Sequence, residues 1–493
     1  MKKYFSSYKK LIILTTMLVG IFVTSCNEDL LNPVPPTSLS DINAFDTPER
    51  IRQQISGVYD FLKAGNFYGG RFLVYHDIRG DEFLNETTNG VTGFSTWTHT
   101  VVSSTNEVFN LWNTAYQTIN RANIFIEGVE ANKAVLKDDK LAAAYIGEAR
   151  FVRALSYFSL LSLYARPYAD GNGSKLGVPL RLIGQTGPGD NDLARSTVAE
   201  VYAQILDDLN FAEQNLPLTY TGSNAAYQNT TRAHRNTAIA FKTRVLLHMG
   251  RYADVITEAN KIVPASAPFR ASSGVAHELQ ADVTRVFNTP YTTTESIFSM
   301  PFTELDLPGT QNGLGSYYNP GPRGIGDYSL NPAAIVGDTI NWKPADARRK
   351  FIFRNAAGKP WLNKFPAGPQ HVDYAPVIRY AEVMLNLAEA IARTSGVDAR
   401  AIALLNAVRG RSDAATQYTA ANFADANALI DAILLERRIE LLGEGFRALD
   451  RTRLLLPIPG KANVAAVNPS QSEYIWPIPD AELATNKLAV PNP

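Results

Sequence analysis

The residues best suited to chemistry are acids and aromatics. Asp77, Asp81 and Glu82 fall in one short stretch. Glycoside hydrolysis requires only two carboxyl groups roughly 5 to 9 Å apart. These three could supply such a pair, although acids meet in many loops without catalysing anything. A second set, Glu436, Glu440 and Glu444, repeats at i, i+4 in a stretch thick with arginine. That is the pattern of a structural ion-pair network, with Arg437, Arg438 and Arg447 close enough to pair. The sequence holds no GxSxG, GxxxxGK[ST], HExxH or CxxC motif. Its six histidines (His76, His99, His234, His248, His277, His371) lack ligand spacing, and Cys26 is its one cysteine. Neither a zinc site nor an internal disulfide is expected, and no other cofactor is implied.

Binding is the chemistry that remains. Sugar rings lay apolar C–H faces on flat aromatic side chains, while nearby polar groups read their hydroxyls. Trp97, Trp342 and Trp361 lie in irregular segments, with Tyr317 and Tyr318 as adjacent candidates and Asp81 as a polar one. The competing role for each ring is to plug its loop against the core. Trp112 differs, because it steps with Phe109, Tyr116, Ile119 and Ile126 at helical spacing and reads as core.

These residues must be positioned by a largely helical chain. At 493 residues, 45% hydrophobic and 19% charged, it has the composition of a folded protein with a large core. Residues 1–25 carry a basic start and an apolar run from Leu11 to Val23, a secretory signal too short to span a membrane comfortably. Removing them takes away four lysines and no acid, so the neutral chain becomes about −4, with no basic excess for nucleic acid. Cys26 follows at the cleavage junction, and 26–45 reads as an anchor and extended tether containing Pro33, Pro35 and Pro36. Thr47, Pro48 and Glu49 open a helix. Residues 65–100 show no sustained period and read as a long surface loop. Helical periods then run from Asn106, over 141–164, over 196–216 with a capping-box start at Thr197 and Glu200, and over 236–249 and 254–263. Between Pro264 and Pro376 the period collapses into a proline-, glycine- and aromatic-rich excursion. Three amphipathic helices complete the pattern between Ile378 and Asp450: one stopped by Gly396, one capped by Asp398, and one running through ALIDAILLERRIELLGEG. The expected architecture is mainly α, with stacked tetratricopeptide-like helix pairs and a loop-rich ligand-binding excursion at about 264–376.

Several of these runs are similar to those of a known family. RYAEVMLNLAEA, LNAVRGRS, ERRIELLGEGFRALDRTR and YIWPIPDAEL, in this order, resemble the C-terminal signature of SusD/RagB outer-membrane nutrient-binding lipoproteins. GEARFVRALSYFSLLSLY resembles the family's internal motif, although Ala165 and Arg166 stand where Tyr-Gly is usual and the Val178-Pro179 pair comes late. VTSC resembles a lipobox, which would make Cys26 the lipidated N-terminus, and Asn27, Glu28 and Asp29 resemble an outer-surface export signal. The resemblance implies one SusD-like helical-repeat domain over 46–493, facing outward from the outer membrane. It also implies an oligosaccharide ligand and a role as lid of a SusC-like TonB-dependent transporter. It implies no enzyme. A peptide ligand of the RagB kind, a surface glycoside hydrolase using Asp77, Asp81 and Glu82, and a ligand-free adaptor stay open as alternatives.

Overall fold

The computed structural model describes residues 43–187, 189 and 191–492. Cys26, the signal segment and most of the tether lie outside these residues. The elements in chain order begin with α1 (Pro48–Leu62), α2 (Arg71–Arg79), β1 (Phe83–Asn85), α3 (Phe94–Thr98), α4 (Asn106–Leu136), α5 (Asp139–Tyr164), α6 (Val198–Asn215) and α7 (Ala225–Thr231). Next come α8 (Arg235–His248), α9 (Tyr252–Ala259), β2 (Ser296–Met300), α10 (Leu314–Tyr318), β3 (Tyr328–Leu330), β4 (Ile352–Arg354), β5 (Pro360–Leu362) and β6 (Ala375–Arg379). The chain closes with α11 (Tyr380–Ser395), α12 (Ala399–Gly410), α13 (Ala426–Glu440), α14 (Arg447–Arg453) and α15 (Asp480–Thr485).

The architecture is mainly helical, and its long helices stack in sequence. α5 packs between α4 and α6, α8 bridges α6 to α9, and α11 lies against α9, α12 and α13. Local signals set the starts. The Thr47 hydroxyl accepts from Arg50 N at 3.2 Å with Pro48 in the first turn, Thr197 and Glu200 close a reciprocal capping box, and Asp398 and Asp425 cap α12 and α13. Trp112 is buried in the core.

Two expectations are corrected here. Residues 65–100 are not one long loop, since they contain α2, β1 and α3. Gly70 and Gly93 precede these short helices, which are packed tightly enough to survive without a strong period. The last amphipathic run also does not continue to Gly445. α13 ends at Glu440 because Gly443 and Gly445 adopt φ of 81° and 83°. A side chain at Gly443 would strike Leu362 at 2.2 Å, and one at Gly445 would meet the Leu73 backbone at 3.0 Å, so this turn requires glycine.

The excursion is held by short antiparallel pairs rather than by a large sheet. β2 pairs with β6 and β4 with β5, while β1 reaches in from outside to pair with β3. A charge cluster fastens the excursion to α13. Arg348 and Arg409 both bind Glu436, and Arg348, Arg379 and Arg411 converge on Glu440. Arg379 and Lys364 share Glu444, Arg379 and Arg411 share Glu295, and Asp346 braces Arg348. These side chains are at most 7% exposed. The ion-pair reading of Glu436, Glu440 and Glu444 is therefore right in kind but not in partners. Arg437 binds Asp450, and Arg438 and Arg447 bind Asp81.

Burial alone would raise the Glu440 carboxyl, but Arg411, Arg379 and Arg348 around it hold it well below the usual carboxylate range. Glu440→Gln strands those guanidiniums. Urea denaturation of the variant should show a loss of about 3–5 kcal/mol; a loss below about 1 kcal/mol, typical of a surface pair, would mean that the cluster relaxes around the change.

Candidate functional site

The aromatic residues nominated from sequence lie inside the protein. Trp342 is 1% exposed and Trp361 6%, and neither indole N–H has a hydrogen-bond partner among the described residues. The Arg349 guanidinium lies 4.1 Å from the Trp342 ring centroid. Trp97 donates to Phe83 O at 2.9 Å and is stacked beside Phe94. Tyr317 and Tyr318 are fully buried, donating to Gln311 O at 2.6 Å and to Asp77 Oδ2 at 3.0 Å. The physical reason is shared. An irregular backbone has no ladder to hold it, so its largest rings fill the space beneath it, and as placed these rings offer no open face.

The acids are equally committed. Asp81 accepts from Arg447 Nε at 2.7 Å and Arg438 Nη2 at 3.0 Å, and Glu82 also binds Arg438. Asp77 accepts from Tyr318 and from Gly445 N. The cavity beside Asp77 and Glu82 is ≈ 60 Å³, room for about two waters and not for a sugar.

The open cleft lies elsewhere, with a volume of ≈ 470 Å³ between α1, α7 and the end of β2. Its floor is built from the scaffold. Tyr59 on α1 donates to Glu148 Oε2 at 2.7 Å and accepts from Ala233 N at 2.9 Å. Arg232, just past α7, forks onto Glu148 at 3.0 and 2.5 Å. Glu148 thus comes from the GEAR run of α5 and holds two cleft residues at once. Across the opening, Lys63 pairs with Asp306 on the turn closed by the Thr303–Asp306 bridge. Ser56, Gly57, Asp60, Thr231, Met300 and Pro301 also line the cleft.

The rim is aromatic. Tyr227 on α7 is 44% exposed and lines the cleft. A second ring lies near Tyr227: Met300 pairs with Ala375, and the residue before it, Tyr374, has its phenol close enough to Tyr227 for the two to interact electrostatically. Tyr291 stacks on Tyr374, with ring centroids 4.8 Å apart and planes 21° from parallel. Tyr291 has φ of 64°, an unusual conformation for a bulky residue. Burial, reinforced by Tyr227 and Tyr291, pushes the Tyr374 phenol up to about 12, so it remains a neutral donor. Flat apolar faces beside fixed donors and acceptors suit a polyol ring.

Comparison with known proteins decides the relationship. A family model described as starch-binding associating with outer membrane matches residues 29–247, and one described as the SusD family matches 315–456. A SusD superfamily crystal structure from Bacteroides fragilis is 33% identical with a TM-score of 0.80, over 90% of this chain and 99% of that one. The chain belongs to the SusD/RagB family. SusD-like protein P38 of Formosa agariphila is 24% identical over 96% of both chains. At the level of fold alone, surface glycan-binding protein A from Bacteroides thetaiotaomicron, solved with laminarihexaose, matches at 20% identity and a TM-score of 0.72, over 90% of this chain and 99% of that one.

In this SusD-like chain the sequence reading missed Tyr227, Tyr374, Lys63 and Arg232. Tyr227 falls between Pro217 and His234 and Tyr374 just before Pro376, in runs without a period. Tyr291 is one of many aromatics in the excursion. Among the described residues no helix is long and apolar enough to cross a membrane.

Beneath the rim, Asp373 accepts from Ala367 N at 3.0 Å, and burial raises it from 3.8 to about 6. The folded state therefore holds this proton more tightly than the unfolded chain does. Its contribution is complete below 3.8 and lost as pH rises through about 6. Asp373→Asn keeps an acceptor for Ala367 N and removes the titration. Unfolding measured across this interval should lose a decline on the order of 2–3 kcal/mol; a decline that persists in the variant belongs to other groups.

Proposed function

We propose that this SusD-like protein captures a neutral oligosaccharide in the tyrosine-rimmed cleft. Held at the outer face of the outer membrane by lipid on Cys26, it passes the sugar to a SusC-like TonB-dependent transporter, over which it acts as a lid. The observation that carries the ligand reading is Tyr227 beside Asp60, Lys63, Thr231 and Arg232 in one cleft, with the Tyr291–Tyr374 stack close enough to Tyr227 for the phenols of Tyr227 and Tyr374 to interact. The starch-binding description of the matching family model and the laminarihexaose complex of a protein of the same fold support a glycan over a peptide. The ion-paired state of Asp81 and Glu82 supports binding without hydrolysis.

The test is a titration of residues 27–493 against soluble neutral glycans and peptides, with the products checked for cleavage. Binding of a glycan without cleavage is expected. Tyr227→Ala and Tyr374→Ala should each weaken it by about two- to tenfold, in line with about 0.5–1.5 kcal/mol for a stacked ring, with little change in melting temperature. Trp342→Ala should instead lower the melting temperature. Peptide binding alone, or glycan binding indifferent to both tyrosines, would overturn the assignment of the cleft. In cells, Cys26→Ala should move the protein out of the membrane fraction.

A further inference from the structure

Three glycines lie well inside long helices, and two of them face packed neighbours. A side chain at Gly128 would enter the Phe45 ring at 2.2 Å, and one at Gly147 would come into contact with Leu216 at 3.4 Å. Gly57, in the middle of α1, has nothing within 4 Å of where a side chain would begin. Glycine is a poor residue for a helix interior, and no neighbour in the described chain needs its smallness. A bare backbone facing open space is suited to close approach by something outside the chain.

Gly57 stands at a divide. It lines the tyrosine cleft on one side of α1, and on the other it lines a ≈ 70 Å³ recess that it shares with Gln54, Phe61 and Arg121. Those three residues continue into a second groove of ≈ 410 Å³, completed by Phe45, Gln117 and Gln185. The helix is thus a ridge between two grooves, and its one residue without a side chain lies where they meet.

The second groove has the chemistry of hydroxyl recognition. No carboxylate of the described residues lines it. The side-chain amides of Gln54 and Gln117 make no hydrogen bond to the described residues, and each offers a donor and an acceptor together. The Arg121 guanidinium has no carboxylate partner among the described residues and sits 5.0 Å from the Phe61 ring centroid, with its N–H groups uncommitted. Uncharged amides beside aromatic faces match the adjacent hydroxyls and apolar faces of a sugar chain, and the unpaired Arg121 disfavours a basic partner.

We infer that the glycan site extends across α1, so that a long oligosaccharide fills the tyrosine cleft, crosses the ridge over Gly57 and lays its next sugars in the glutamine groove. This rests on the glycan reading of the tyrosine cleft and adds a length preference to it. A helix is about 10 Å across, so a disaccharide stays in one groove while a hexasaccharide reaches both.

The experiment titrates residues 27–493 with maltose, maltohexaose, laminaribiose and laminarihexaose. Wild-type protein should bind one hexasaccharide at least tenfold more tightly than its disaccharide. Gly57→Leu, whose side chain points into open space and leaves the fold intact, should bring that ratio close to one. Gln54→Ala and Gln117→Ala should weaken the hexasaccharide alone. Gly57→Ala, a small addition to an open helix position, should raise the melting temperature slightly. A hexasaccharide preference that survives Gly57→Leu, or no preference in wild type, overturns the extended path and leaves the tyrosine cleft standing. Binding of none of the four sugars overturns both readings.

Discussion

Five cations and five carboxylates share one enclosed space where the irregular excursion meets the C-terminal helices. Glu295, Asp346, Arg348 and Lys364 come from the excursion, Arg379 from the end of β6, Arg409 and Arg411 from the end of α12, and Glu436, Glu440 and Glu444 from α13 and its glycine turn. Charge balance is the condition for burial, since one unpaired member would cost several kcal/mol, on the order of 3–5. Replacing such a cluster with apolar residues is often neutral in energy, so its main effect here is on arrangement. A hydrophobic plug can shift by an ångström at little cost, whereas Arg379, bound at once to Glu295, Glu440 and Glu444, has one position. A stretch of more than a hundred residues with only three-to-five-residue strands is thereby given a single register against the helices.

The same device recurs wherever a signature run crosses the core. On α11, Glu382 binds Arg244 of α8, Asn386 binds Thr243 and Arg437, and Glu389 binds Arg453 of α14. On α5, Arg153 binds Asp208 of α6 and Asn123 of α4. These residues look like surface polars in a sequence, yet each is a buried crosslink between neighbouring helices. Glu148 extends the pattern to function, because the crosslink it makes is to Tyr59 and Arg232 at the floor of the cleft. The cleft floor is therefore as fixed as the scaffold.

The periodic part of this architecture is legible in the sequence. The stripe of Ala381, Met384, Leu385, Ala388 and Ile391, the caps at Thr47, Thr197 and Asp398, and the collapse of period after Pro264 all correspond to what the chain does. What failed was the sign of burial in the irregular segments. Trp342 and Tyr227 are both aromatics in aperiodic sequence, and nothing local distinguishes them. Trp342 is enclosed because Arg349, seven residues on, stacks over it and ties down the carbonyls of Val336 and Asp338. Asp81 looked free because its partners, Arg438 and Arg447, lie more than 350 residues away. Long-range pairings of this kind have no periodic signature.

Trp342 and Trp361 sit deep, and tyrosines sit at the rim, for a reason that also bears on how binding could vary. An indole closes the largest volume under a backbone that lacks a ladder, whereas a half-buried tyrosine keeps one apolar face and a neutral hydroxyl available together. The rim around the cleft comes from the turn at 303–306, tied to the end of α1 through Lys63 and Asp306, and from the stretch before β6 that carries Asp373 and Tyr374. Leu305, at the tip of that turn, is 99% exposed and packs on nothing. Changes there leave the charge cluster and the Glu148 floor untouched. The molecule thus separates what must stay constant, the helical stack and its buried crosslinks, from a border whose residues can change with the ligand at little cost to folding.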